Sequence, residues 1–424
     1  MTEPARFASA NQALLAGQYG SAGYSMATGA ADRCLIDLGV SFHALPYYFR
    51  VDPATHRELT DATATLVGAQ EKLFAAVCAN RSPGQLAELL QVPPAMAGLI
   101  DWSALASSRF RMLRADIIPT ASGYYFCEIN HFSAVGAGEG YHSGRLLAEA
   151  LGRSVPGVSP FRDLAYHYIT ECRRSGFVRI VILDTAEHRK QGFGEHQMLQ
   201  YYLRLMAPDL DVSYQDDLTY PAGWLEPAEA KQTLIHRLVT LDDTTDGGAF
   251  LVRLQELGAT LSCGFEAELK MHRIWFSLLH DPDHRRLFDE RELAVIDRYV
   301  PYTFQLCERN LAATLADKDR YIFKTSYSYG GKGVLLGSEH SPDELADALK
   351  VAGTHAWTAQ QVVPTSSLEL PTPDGGTARF YFVLGVYGYG NNFNGLLIRG
   401  ALGSPVVNVS RGGGVSWAFV DQGA

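Results

Sequence analysis

The sequence predicts a mixed α/β protein built from several differently patterned parts. The chain has 424 residues, of which 47% are hydrophobic and 19% charged, a composition typical of a globular protein large enough for more than one lobe. The first hundred residues have mainly helical patterning, a βαβ pattern begins near Gly176, and the last hundred residues favour a sheet-rich lobe. We therefore divide the chain at 1–109, 110–175, 176–262 and 263–424.

Charge and cysteine usage argue against several functions. The formal net charge is −10, with 46 acidic against 36 basic residues, which argues against a nucleic-acid partner or a polybasic membrane anchor. No apolar stretch approaches the ~18 residues of a membrane helix, and the amino terminus lacks a secretory-signal pattern. The six cysteines form no CxxC pair, which predicts reduced thiols. We expect a cytoplasmic protein.

Local patterns predict the elements. Apolar residues between Asp52 and Ala79 recur with a helical period, and two alternating apolar runs from Phe110 flank a Ser-Gly turn, which predicts a hairpin. The run Phe177 to Leu183, the helical GEHQMLQYYLRLMA and the strand DVSYQ predict a parallel βαβ lobe. One helix is predicted from Glu266 to His280, and the last part predicts strands in RYIFKT, GVLLG, AQQVVP, ARFYFVLGVYG and FNGLLIRGA.

A glycine loop is the first candidate for chemistry. Tyr329 to Gly333 reads YGGKG between two apolar strands, and such a loop lets backbone N–H groups approach phosphates. It differs from the P-loop, whose GxxxxGK[ST] pattern is absent. Lys324, shortly before the loop, could pair with phosphate oxygens. An ordinary hairpin with a glycine-rich turn is the alternative.

Two short polar motifs form the second candidate. Arg114 and Asp116 in RAD, and Glu128 and Asn130 in EIN, are each two residues apart, so each pair lies on one side of its strand. A hairpin would bring two carboxylates and an amide beside a guanidinium, and such oxygen ligands suit Mg²⁺. The alternative is a polar solvent-facing hairpin in which Arg114 simply pairs with Asp116 or Glu128.

The carboxy-terminal run LLIRGALGSPVVNVSRGGGVSWAFV is the third candidate. Arg399 lies in a predicted strand, and Arg411 precedes Gly412, Gly413 and Gly414. An arginine fork beside exposed backbone amides can clamp a carboxylate. A strand–turn–strand unit with surface arginines is the alternative.

The order of these motifs resembles glutathionylspermidine synthetases and related circularly permuted ATP-grasp proteins. RAD followed by EIN is similar to their metal-binding hairpin. The resemblance implies that Arg114 contacts the reacting phosphoryl group and that two Mg²⁺ ions bind Asp116, Glu128 and Asn130. Ser133, in HFSAVGAGEG, is the nearest equivalent of the family's substrate-side hydroxyl residues.

The resemblance extends over roughly residues 110 to 420. The βαβ lobe is similar to the family's inserted lid-like domain, and the carboxy-terminal run is similar to the closing motif of eukaryotic glutathione synthetases, which implies a substrate role for Arg399, Arg411 and the three glycines. The nucleotide-binding positions that the resemblance implies are Lys270, Lys324, Gly330, Gly331, Gly333, Gln360, Gln361 and Val363.

The resemblance implies a carboxylate–amine ligase that uses ATP and Mg²⁺ and forms an acyl phosphate, with Arg114, Lys324 and Arg399 as catalytic residues. Its partners would be a small-molecule acid and an amine, and related folds often form homodimers. The glycine loop lacks the family's frequent glutamate, so Asn408 or water would complete the metal shell. Two alternatives remain open: a small-molecule kinase, and a non-catalytic nucleotide-binding protein of this fold.

Overall fold

The architecture comes from a computed structural model, which describes residues 43–45, 47–103, 105, 112–132, 136–150, 159–190, 195–216, 225–240, 243–244, 248–326, 333–351, 356–371, 376–403, 407 and 413–420. Within these residues no helix is long and apolar enough to cross a membrane. The helices are α1 (Pro53–Ala79), α2 (Pro83–Leu89), α3 (Pro94–Ala97), α4 (Ala137–Ala150), α5 (Pro160–Ser175), α6 (Ala186–Lys190), α7 (Glu195–Met206), α8 (Pro227–Ala230), α9 (Ala249–Glu256), α10 (Phe265–Lys270), α11 (Ile274–His280), α12 (Pro282–Arg285), α13 (Glu290–Tyr299), α14 (Glu308–Ala316) and α15 (Pro342–Val351).

The strands of the described residues form three sheets. They are β1 (His43–Ala44), β2 (Phe49–Val51), β3 (Met112–Thr120), β4 (Gly123–Asn130), β5 (Arg179–Leu183), β6 (Asp211–Gln215), β7 (Thr233–Arg237), β8 (Thr260–Leu261), β9 (Thr303–Gln305), β10 (Tyr321–Thr325), β11 (Val334–Leu336), β12 (Trp357–Gln361), β13 (Ser367–Pro371), β14 (Thr377–Tyr389), β15 (Asn392–Leu402) and β16 (Gly414–Val420).

Within the part of the chain that the structure describes, the large sheet has eight strands in the order β1-β16-β15-β14-β3-β4, with β13 beside β14 and β2 beside β16. Its long strands β14 and β15, both predicted as strands, pair antiparallel with each other, and β14 also pairs with β3. The predicted segment 263–424 therefore contributes strands to the sheet that begins in segment 110–175. The amino-terminal segment takes part as well, because β1 and β2 lie parallel to β16.

Helices cover both faces of the large sheet. The predicted helix α1 begins at Asp52, whose Oδ1 accepts hydrogen bonds from the N–H groups of Ala54 (3.0 Å) and Thr55 (2.9 Å), a strong amino-terminal cap. Its periodic Leu59, Leu66 and Leu73 pack into one core with β14 and β15. On the opposite face α4 and α5 pack with Tyr387, Leu397 and Trp417. Burial on both faces explains the long apolar runs of the central strands.

The other two sheets have four strands each. The order β6-β5-β7-β8 is parallel throughout, which confirms the predicted βαβ pattern. The order β11-β10-β12-β9 is antiparallel and has its own small core around Phe323. Between β10 and β11, Gly330 and Gly331 lie outside the described residues.

The predicted helix from Glu266 to His280 is wrong as one element. It divides into α10 and α11, which are separated by a turn at Met271 to Arg273. The backbone N–H of His272 bonds the carbonyl of Leu269 (3.3 Å), and its Nδ1 accepts the N–H of Ile274 (3.1 Å). A side chain that satisfies an N–H at the start of α11 lets a second helix begin there. A periodicity of apolar residues cannot reveal such a break.

Candidate active site

The hairpin of β3 and β4 carries the two polar motifs side by side. Arg114 lies opposite Asn130 and Asp116 lies opposite Glu128, with a register shift just after Asp116. The pairing confirms the predicted hairpin and the predicted convergence of these four residues. A bulge beside a polar cluster re-aims side chains at that point of a strand.

Asp116 is fully buried and is the shared counter-ion of two arginines. Its Oδ1 accepts from Arg114 Nε at 2.7 Å, and its Oδ2 lies 2.6 Å from Arg399 Nη2. Burial alone would lower the pKa of the Arg114 guanidinium, but the charge of Asp116 and the contact with Tyr387 raise it above its ordinary value. The alternative of a polar hairpin in which Arg114 simply pairs with a neighbouring carboxylate is therefore correct in one respect, because Arg114 does pair with Asp116. The pair is nevertheless buried within β3, and Asp116 also contacts Arg399 of β15.

Gly385 of β14 makes room for this ion pair. It lies opposite Asp116 in the sheet, and a Cβ there would come within 2.8 Å of Arg114 Cδ and 3.2 Å of Leu397 Cβ. The close approach of the Arg114 stem therefore depends on glycine. Gly385 was not among the predicted site residues, although a glycine inside an apolar strand can signal a close approach.

Glu128 differs from Asp116 in its accessibility. Its side chain is 32% exposed, and both of its contacts are long: 3.5 Å from Arg273 Nη2 and 3.5 Å from Asn130 Nδ2. Burial alone would raise the pKa of Glu128, but the charges of Arg273 and Lys324 outweigh it and hold that pKa well below its usual range. Glu128 is therefore an ionised carboxylate with an accessible side chain.

A small cleft opens beside Glu128. It brings together Glu128, Lys270, Lys324 and Gln360, four residues that lie far apart in the sequence and that the sequence analysis had singled out. The lining residues are Gln70, Cys127, Glu128, Ile129, Lys270, Met271, His272, Arg273, Phe276, Thr303, Lys324, Thr358 and Gln360.

The cleft is lined by three cationic side chains. Lys324 Nζ donates to the Cys127 carbonyl (3.1 Å) and to Gln360 Oε1 (2.8 Å). Burial lowers the pKa of Lys324 below its ordinary value, and the opposing effect of Cys127 and Glu128 is too small to restore it. Arg273, from the turn between α10 and α11, donates to the Thr325 carbonyl (2.6 Å). The third cation, Lys270, ends α10. Cations with low-dielectric walls attract anions such as phosphates.

Arg273 was not among the predicted site residues. Its signal was present, since it follows Lys270 by three residues in LKMHR. The prediction of one continuous helix concealed that a turn carries it towards Glu128.

The remaining predicted site residues lie outside the cleft or outside the described residues. Gly333 has a positive φ of 64° and its carbonyl accepts from the Thr325 N–H at 2.9 Å, Gln361 is exposed, and Gly414 lies opposite Gly400. None of these lines the cleft, and neither Val363 nor Gly413 does. Ser133, Gly330, Gly331, Asn408, Arg411 and Gly412 lie outside the described residues.

The predicted metal ligands fit a metal ion unequally. Among the described residues no group of three or more His, Cys, Asp or Glu side chains could hold one. Both oxygens of Asp116 are engaged by guanidinium groups, whereas Glu128 is accessible and Asn130 lies beside it. One or two oxygen ligands suit a Mg²⁺ ion that takes the rest of its shell from water and phosphate. Glu128 with Asn130 fits such an ion, and Asp116 in this arrangement does not.

Comparison with solved structures identifies the fold. A glutathione synthetase-like effector from Globodera pallida, solved in the apo form, matches with a TM-score of 0.65 over 94% of this chain and 96% of that chain. At 11% identity the likeness shows the fold alone. A proposed gamma-glutamylcysteine synthetase from Methylobacillus flagellatus matches at 12% identity over 82% of this chain and 85% of that chain, but its TM-score of 0.37 supports no argument. No protein-family profile and no curated protein sequence matches. The chain therefore shares its fold with this glutathione synthetase-like protein.

Proposed function

We propose that the protein is an ATP-dependent carboxylate–amine ligase with a circularly permuted ATP-grasp arrangement. The observation that carries the proposal is that Lys270, Lys324 and Arg273 line one cleft together with the partly exposed carboxylate of Glu128, on a fold similar to that of a glutathione synthetase-like protein. Three cations and a carboxylate that line the same cleft suit a polyphosphate together with its metal ion.

In the proposed reaction a carboxylate oxygen of the acid bonds to the γ-phosphorus of ATP. The bond from that phosphorus to the β–γ bridging oxygen breaks, and ADP and an acyl phosphate result. The amine nitrogen then bonds to the acyl carbon, inorganic phosphate leaves, and the nitrogen loses a proton. This chemistry needs no protein nucleophile, so the chain's own residues have to bind, orient and offset charge.

Each residue has a distinct proposed task. Lys270, Lys324 and Arg273 would hold phosphate oxygens, and Gln360 would fix the orientation of Lys324, to which it is bonded. Mg²⁺, when bound, offsets phosphate charge, and Glu128 with Asn130 would hold it. Asp116 would orient Arg114 and Arg399 by its two ion pairs.

Arg399 supports an acid-binding role near this cluster. Its Nε is buried and has no hydrogen-bond partner among the described residues, while its Nη2 holds Asp116. A buried donor of a charged group is costly unless it is paired, so a substrate carboxylate would complete its bonding. We propose an amino acid or a small peptide-like acid as the acid substrate, clamped by Arg399 together with Arg411 and Gly412 to Gly414.

A direct assay tests the ligase. The protein is incubated with ATP, Mg²⁺ and pools of amino acids and small peptides, and ADP and new amide masses are measured. We expect an amide that requires ATP, with one ADP per amide. ADP without an amide, accompanied by a phosphorylated product, would instead indicate a small-molecule kinase.

A non-catalytic nucleotide-binding protein is the second candidate, favoured by the engagement of Asp116 with two arginines. That engagement leaves Glu128 as the accessible carboxylate of the predicted metal set. Tight nucleotide binding without turnover across all substrate pools would support this candidate over the ligase.

A further inference from the structure

Helix α1 contributes to the cleft, although the sequence assigned it no role. Gln70 lines the cleft and is buried. Its Nε2 donates to the carbonyl of Lys270 (2.7 Å), and its Oε1 lies 3.0 Å from His131 Nε2. Through these bonds α1 connects the end of α10 with the residue that follows β4.

The next residue of α1, Glu71, contacts the charged end of Lys270. Lys270 Nζ lies 3.0 Å from Glu71 Oε1 and 2.9 Å from Oε2. The Lys270 side chain is only 4% exposed, and that of Glu71 is 19% exposed. Phe74, one turn further along α1, lies with its ring centroid 5.1 Å from the same ammonium group. Helix α1 therefore sets both the position and the local charge of Lys270.

This contact has an electrostatic consequence for any anion in the cleft. The ammonium of Lys270 attracts a phosphate, but the carboxylate of Glu71 at 2.9 Å offsets that attraction. Since the pair is largely removed from solvent, water screens it less than a surface pair. A phosphate group that approaches Lys270 has to compete with a carboxylate already bound there.

We propose that Glu71 is a positioning residue that competes with ligand phosphates for Lys270, so that α1 limits the affinity of the cleft for polyphosphate anions. This inference rests on the proposed nucleotide-binding function of the cleft. The ligand class is a polyphosphate, and the effect of Glu71 increases with the number of phosphate charges.

The test compares E71Q with K72Q and with the wild-type protein by isothermal titration calorimetry. Glutamine keeps the shape and one hydrogen-bond acceptor of Glu71 but removes its charge. Lys72 is the adjacent residue and forms an ion pair with Glu292 (2.8 Å); it does not line the cleft, so K72Q is the matched control. The probes are adenosine, ADP, ATP and inorganic tripolyphosphate.

We expect E71Q to bind ATP and tripolyphosphate on the order of tenfold more tightly, or about 1.4 kcal/mol, to bind ADP with a smaller gain, and to leave adenosine unchanged. The gain should shrink with added salt, which a purely structural effect would not do. K72Q should bind each probe like the wild type.

The outcomes separate this inference from the proposed function. Tripolyphosphate affinity in E71Q that equals or falls below that of K72Q would overturn the role of Glu71. Tighter tripolyphosphate binding by E71Q, without ATP binding by any variant, would support the role of Glu71 and contradict the nucleotide function. Absence of binding of every probe to every variant would contradict both.

Discussion

Asp116 and Glu128 face each other across one hairpin but have different surroundings. Asp116 is fully buried between two guanidinium groups, whereas the side chain of Glu128 is 32% exposed beside the cleft. A buried carboxylate that neutralises two cations stabilises the fold, and an exposed one is available to a ligand or metal. Substitution of each by its amide therefore separates stability from function.

Replacement D116N should destabilise the protein strongly. It removes the counter-ion of Arg114 and Arg399 and leaves buried guanidinium charge uncompensated, at a cost of about 3 kcal/mol or more. D297N is the matched control, because Asp297 forms an exposed pair with Arg285 at 2.8 Å, and such pairs contribute about 0–1 kcal/mol. Urea unfolding followed by circular dichroism measures both. Equal losses in the two variants would contradict the structural role of Asp116.

Replacement E128Q should instead abolish activity with a much smaller loss of stability. We expect ATP turnover to fall at least about 100-fold, since a charge that acts on the transition state is lost. Near-normal turnover in E128Q would contradict the metal and phosphate assignment of this residue.

The stability that Glu128 contributes to the wild-type protein should depend on pH in a defined direction. Because the pKa of Glu128 is depressed in the folded protein, its ionised form stabilises the fold above its unfolded pKa of about 4.3. That contribution is lost as the pH falls through the folded pKa. The difference in unfolding free energy between wild type and E128Q should therefore be largest above about pH 4.3 and shrink in stronger acid, as urea titrations at several pH values would measure.

The sequence predicted which residues of the RAD and EIN motifs lie together, but it did not predict all of their contacts. Two-residue spacing in RAD and EIN was sufficient to predict which side chains converge, because strand geometry fixes the face. It could not predict that Arg399, 283 residues further along the chain than Asp116, would form an ion pair with Asp116. Such long-range ion pairs depend on which strands become neighbours, which local patterns do not specify.

Strand β14 depends on Gly385 to accommodate Arg114. We expect G385A to destabilise the protein by roughly 1–3 kcal/mol, the usual cost of overpacking, because the new Cβ would crowd the Arg114 stem at 2.8 Å. G84A is the control: nothing lies within 4 Å of its Cβ, and α2 should gain up to about 1 kcal/mol from a better helix former. Thermal unfolding measures both. A neutral G385A would show that β14 can shift to accommodate the added methyl group.

Helices and strands were predicted correctly where the spacing of apolar residues alone determines the element. The prediction failed where a side-chain hydrogen bond starts a new helix. The 3.6-residue period of α1 and the continuous apolar run of β5 are confirmed. The single helix predicted over Glu266 to His280 is wrong, because the chain turns there and the His272 ring accepts the N–H of Ile274, the first residue of a second helix. The short strands β1 and β2 were not predicted, since their pairing with β16 is a contact between the two ends of the chain.

Three separately built parts of the molecule meet at the cleft. Lys324 of the antiparallel sheet bonds the Cys127 carbonyl of the large sheet, and Arg273 of the turn between α10 and α11 bonds the Thr325 carbonyl. The topology that joins these parts could not be read from local sequence patterns, although the motif order indicated which of them belong together. A ligand bound in the cleft contacts groups that are adjacent only in the folded protein. Its binding therefore increases the free energy of unfolding of the protein.

Mg-ATP should therefore raise the unfolding temperature of the protein. At 100 times its Kd a ligand stabilises by about 2.7 kcal/mol, which is roughly 3 °C for a chain of this length at about 2.1 cal/mol/K of unfolding entropy per residue. K324M should lose most of this shift, because Lys324 lines the cleft, while K350M should keep it, since Lys350 lies on α15 with its side chain 68% exposed. Differential scanning fluorimetry with ATP, with and without EDTA, measures the shift. A shift that K324M retains in full would place the nucleotide outside this cleft, and a shift unaffected by EDTA would argue against a metal at Glu128.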